Sequence, residues 1–79
     1  MPDYLPIACA THELLEFAVL RRQKLRLAWR SEQGHGEFRE TVQPLDVETR
    51  DGAEWLTVRR GDGSSERVRL DRIVSVHEE

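Results

Sequence analysis

Between Arg22 and Lys24 the spacing of apolar residues changes from a helical period to a strand period. Upstream, Leu14, Leu15, Ala18 and Val19 recur at i, i+1, i+4 and i+5, which places them on one face of a helix. Thr11 is suited to cap that helix, because its hydroxyl can accept from a free N–H of the first turn. Glu13 and Glu16 stand early and Arg21 and Arg22 late, the charge order that a helix dipole favours. The spacing therefore predicts a helix over about residues 11–22. Downstream, Lys24-Leu25-Arg26-Leu27-Ala28-Trp29-Arg30 alternates strictly, with Leu25, Leu27 and Trp29 on one face of a half-buried strand.

No second helical pattern follows. Further strand candidates are Glu37–Val42, with Phe38 as its clearest core residue, and Leu45–Thr49, with Leu45 and Val47 on one face. Pro44 between them implies an edge, a bulge or a break. Glu54–Arg60 turns Leu56 and Val58 inward, Glu66–Leu70 turns Val68 and Leu70 inward, and Arg72–Val76 closes the series. Arg50-Asp51-Gly52 and Gly61-Asp62-Gly63-Ser64-Ser65 have turn chemistry. Residues 1–10, interrupted by Pro2 and Pro6, read as an extended lead-in. The fold class is thus mainly β with one N-terminal α-helix. Five or six short strands form a small antiparallel barrel or sandwich.

At 79 residues the chain holds one domain, with little room for a deep cleft beside a core. No glycine-rich phosphate loop, nucleophile elbow or enclosed carboxylate pair is present, so an enzyme is not expected. Cys9 and His12 form a single C-x-x-H pair, with His35 and His77 far off, short of the two close pairs usual in zinc sites. No metal or cofactor is expected. One cysteine allows no internal disulfide and suits a reducing compartment. There is no apolar run of membrane-spanning length and no signal-peptide pattern, so the expected location is the cytoplasm.

The net charge of −3 favours a basic partner over free nucleic acid. On a helical wheel Glu13, Glu16 and Leu20 lie opposite Leu14 and Ala18, with His12 flanking and Phe17 at the border. Such an acidic ridge with apolar neighbours suits a basic, partly apolar protein surface. A second candidate lies on the sheet. If Val58 faces Val68, then Arg59 faces Arg67 and Thr57 faces Arg69. The outer face then carries Trp55, Arg59, Arg67 and Arg69, a combination that can bind single-stranded RNA. Glu40, Glu48, Asp51 and Asp71 are available to neutralise those arginines.

The segments Tyr4-Leu-Pro6-Ile7-Ala-Cys9 and Leu15-Glu16-Phe-Ala18 resemble the opening of the Rof proteins, bacterial Rho-binding antiterminators. Val68-Arg69-Leu70-Asp71-Arg72-Ile73-Val-Ser75 is similar to that family's closing pattern, with Arg72 in place of lysine. Glu37, Leu45-Asp46 and Glu54-Trp55-Leu56 fall between them in compatible order. The resemblance implies a helix packed on an Sm-like barrel. It further implies that the protein binds the termination helicase Rho near its primary RNA-binding site, blocks RNA engagement and reduces Rho-dependent termination. By position, Glu13 and Glu16 match the family's acidic contacts and His12 stands where an aromatic can occur. Ala10 and Thr11 occupy places where family members can carry acids.

Overall fold

The computed structural model describes residues 9–31 and 36–79. Of the lead-in expected to be extended over residues 1–10, residues 1–8 lie outside the described residues and Cys9 and Ala10 are helical instead; residues 32–35, within a turn expected over Ser31–Gly36, also lie outside them. Helix α1 spans Cys9–Arg21. It begins before Thr11, which therefore sits inside the first turn instead of capping it, and no acid stands in that turn. Ala10, a strong helix former, lets the helix extend upstream.

The helix ends in a Schellman arrangement. The Gln23 N–H donates to the Ala18 carbonyl at 2.9 Å and the Arg22 N–H to the Val19 carbonyl at 3.3 Å. Arg22 takes the left-handed position this motif requires, at φ 56°. That position suits glycine, which lacks the Cβ that crowds the following carbonyl. Arg22→Gly is therefore expected to raise stability by about 0.5–1 kcal/mol, measured as the shift in urea midpoint at constant slope. A loss of stability would mean that the Arg22 side chain makes a compensating contact.

Among the described residues five strands follow: β1 Leu25–Arg30, β2 Glu37–Arg50, β3 Ala53–Arg59, β4 Ser65–Arg69 and β5 Ile73–Glu78, with a 3-10 turn at Leu70–Arg72 before β5. They form one antiparallel sheet in the order β4-β3-β2-β1-β5. The two expected strands on either side of Pro44 are one continuous β2. Its first part, from Glu37 to Val42, pairs with β1. Its second part, from Gln43 to Arg50, pairs with β3. Pro44 lies at the changeover, where the register shifts between Pro44 and Asp46 and leaves Leu45 bulged. Leu45 is 37% exposed and does not join Val47 in the packing against the core. The β2–β3 hairpin closes on Asp51 and Gly52, both with positive φ (53° and 77°), as a two-residue primed turn needs.

The core is the set that alternation assigns inward: Leu25, Leu27, Trp29, Val42, Leu56, Val58, Val68 and Leu70, joined by Leu15 and Ala18 of the helix. Phe38 departs from expectation. It lies opposite Trp29 across the β1–β2 ladder and stacks on its ring at 5.4 Å, but remains 37% exposed at the rim. The register of β3 and β4 also differs from the expected one by two residues. Val58 faces Glu66, Leu56 faces Val68, Thr57 faces Arg67 and Trp55 faces Arg69. The cause is a tighter loop. The Arg60 N–H donates to the Ser64 carbonyl at 2.7 Å, and Asp62 accepts from the Ser64 N–H and hydroxyl at 2.9 and 2.6 Å. A shift of two keeps every side chain on its expected face. Among the described residues no helix is long and apolar enough to cross a membrane.

Candidate functional site

Burying Leu15 and Ala18 against the sheet turns the opposite side of α1 to solvent. Glu13, Glu16, Phe17 and Leu20, at i, i+3, i+4 and i+7, form one exposed stripe. Leu20 is 78% exposed and Phe17 52%, an unusual display of apolar surface on so short a helix. Arg21 lies over the Phe17 ring at 5.5 Å, so the stripe is acidic at its N-terminal end and cationic at its C-terminal end.

His12 is half-buried and separates the stripe from the sheet. Its Nδ1 is 2.6 Å from Glu16 and its Nε2 is 2.6 Å from Glu54 of β3. It therefore ties helix to sheet and fixes the Glu16 carboxylate, leaving Glu13 as the more independent acid. Beside the stripe a notch of about 190 Å³ opens between Glu16, Val19 and Leu20 of the helix and Asp46 and Val47 of β2. Asp46 is exposed and adds a carboxylate that a helical wheel cannot reveal, because only the packing of α1 on β2 brings it there.

The other expected site divides. Trp55, Arg67 and Arg69 lie together: Arg67 stands over the Trp55 ring at 5.7 Å, and Arg69 is opposite Trp55 in the ladder. Two of the available acids do engage these arginines. Asp71 accepts two hydrogen bonds from Arg69 at 2.8 and 2.7 Å, and Glu48 lies 3.7 Å from Arg67. Arg59 sits apart from them, at the far end of the ladder opposite Ser65.

Glu40 is committed elsewhere, in a cluster that local sequence patterns do not reveal. Arg60 donates to Glu40 through Nε at 3.1 Å and Nη2 at 2.5 Å, and to Glu66 through Nη1 at 3.1 Å. The Trp29 indole N–H donates to Glu66 at 3.3 Å. Arg60 also lies 5.9 Å from the Trp29 ring and 5.4 Å from that of Phe38. The Arg60 hydrogen bonds hold the Glu40 carboxyl below its ordinary range.

Of the histidines, His77 is exposed on β5 and His35 lies outside the described residues. No group of three metal-ligating side chains converges among the described residues.

The described structure is thus a small, mainly β domain with one helix on a five-stranded antiparallel sheet. No family model and no curated protein matches the chain. Among solved structures it is similar to the proteasome accessory factor B/C (PafBC) of Arthrobacter aurescens, with a TM-score of 0.79 and 20% identity. That match covers 94% of this chain and 12% of the PafBC chain. At this identity the likeness concerns the fold alone.

Proposed function

We propose that this protein is a Rof-type inhibitor that binds the transcription termination factor Rho near its primary RNA-binding site. By occupying that surface it blocks RNA engagement and reduces Rho-dependent termination. The reading is of a cytoplasmic binding protein, not a catalyst. The observation that carries it is the exposed stripe of Glu13, Glu16, Phe17 and Leu20, on the helix that also bears the Rof-like segment. A surface that attracts RNA is basic, and carboxylates on a rigid helix complement it, speeding encounter in a salt-sensitive way. Phe17 and Leu20 then supply the apolar anchors that slow dissociation. Asp46, beside the stripe, adds to the same field. The finer reading of the sheet as an Sm-like barrel is supported by the order β4-β3-β2-β1-β5 and by a β2 shared between two halves.

The double substitution Glu13→Lys with Glu16→Lys is expected to weaken association with purified Rho by about tenfold or more at low salt. The wild-type protein should displace a labelled RNA from Rho, and the variant should not. Unchanged affinity of the variant would remove the helix from the mechanism, and no binding of the wild type to Rho would end the proposal.

A further inference from the structure

A groove of about 480 Å³ lies between the end of β1 and the β3–β4 ladder, well away in sequence from the helical stripe and sharing no lining residue with it. Its volume is within the range of small-ligand sites. Three aromatic side chains, Trp29, Phe38 and Trp55, contribute to its walls. Four arginines line it and a single acid, Glu66, faces them. Glu66 is already engaged by the Trp29 indole and by Arg60. Arg69 is held by Asp71 and Arg67 leans on Trp55 and Glu48. Arg30 and Arg72 remain, and among the described residues neither forms an ion pair. The groove therefore presents two uncommitted guanidinium groups beside aromatic surface, in a protein whose net charge is negative.

We infer that this groove binds single-stranded nucleic acid, with Arg30 and Arg72 contacting backbone phosphates and Phe38 and Trp55 offering ring surface to bases. Guanidinium groups pair with phosphate in a two-pronged way, and base–aromatic stacking is tolerant of sequence. An acidic peptide would meet the same arginines but gain nothing from the rings, whose faces repel carboxylates. The net charge of −3 limits long-range attraction, so binding is weak, local and salt-sensitive.

The test is fluorescence anisotropy with a labelled oligouridylate decamer and the whole protein at about 50 mM salt, a regime in which non-specific contacts are strong. The expected dissociation constant is on the order of 10–100 µM. Arg30→Glu with Arg72→Glu should weaken it by at least about tenfold and reduce the slope of log affinity on log salt by about one or more. Arg30 is exposed and Arg72 half-buried, neither belonging to the core cluster, and an unchanged circular dichroism spectrum would show that the variant folds. Leu20→Ser, on the helical stripe, should bind RNA as the wild type does. Three results would overturn the inference: no binding at about 100 µM protein, equal binding by the double variant, or equally tight binding of a glutamate decamer.

Discussion

Trp29→Ala will lower folding stability by roughly 3–5 kcal/mol. Trp29 is 2% exposed and is the largest side chain in the core. It also does more than fill volume. It stacks on Phe38 across the β1–β2 ladder, and its indole N–H reaches Glu66 on β4, two strands beyond β2 in the sheet. Removing it opens a cavity and leaves Glu66 with Arg60 as its remaining partner among the described residues. A domain of this size commonly has a total stability of about 4–12 kcal/mol, so the substitution removes a large fraction of it. Trp29→Phe keeps a ring and loses the N–H, and should cost about 1–2 kcal/mol. Urea unfolding followed by far-ultraviolet circular dichroism measures both. A cost below about 1 kcal/mol for alanine would show that the two parts of the sheet do not depend on this side chain.

Arg60→Ala should cost about 1.5–3 kcal/mol and change how stability depends on pH. Arg60 stands between Glu40 and Glu66, and its loss leaves the two carboxylates without the cation that holds them. In the folded protein the Glu40 carboxyl titrates below its ordinary value, first because of the hydrogen bonds from Arg60. A depressed carboxyl stabilises the fold above its unfolded value, and that contribution is lost as pH falls through the folded value. The wild type should therefore lose this increment on acidification below about pH 5, while Arg60→Ala, lacking it at every pH, should show a flatter curve over the same window. Thermal melts of both proteins between pH 7 and pH 3 provide the comparison. Parallel curves would show that Glu40 gains nothing from Arg60.

Much of the fold was legible because burial in a thin sheet imposes a simple period. Leu25, Leu27, Trp29, Leu56, Val58, Val68 and Leu70 are inward as their alternation requires. What alternation does not carry is register and continuity. A loop tightened by Asp62 moves β4 by two residues, a displacement invisible to a two-residue period. Pro44 is compatible with an edge, a bulge or a break, and the spacing does not choose among them; the structure has a bulge beside it, where one strand changes neighbours. Phe38 reads as core by type, but near the end of a ladder it stays partly exposed at the rim.

The helical stripe was readable for the same reason as the core: solvent and sheet lie on opposite sides of one period. Its neighbour Asp46 was not, since it reaches the stripe only through the packing of α1 on β2. Nor was the cluster at Arg60, whose partner Glu40 lies 20 residues away in sequence. In both cases the partners come from separate elements, so no local spacing encodes them.

The single strand β2, shared by both parts of the sheet, also bears on how such a domain can diverge. Away from the bulge at Leu45, an added residue that is not itself bulged out would invert the side-chain order of one part relative to the other, sending Val42 or Val47 outward. Substitutions there can be absorbed one at a time, but a change of length needs a further bulge. The loop from Gly61 to Ser64, bounded by the Arg59–Ser65 pair, has no such obligation. Natural variation in length should therefore gather in that loop and leave the strand at its present span.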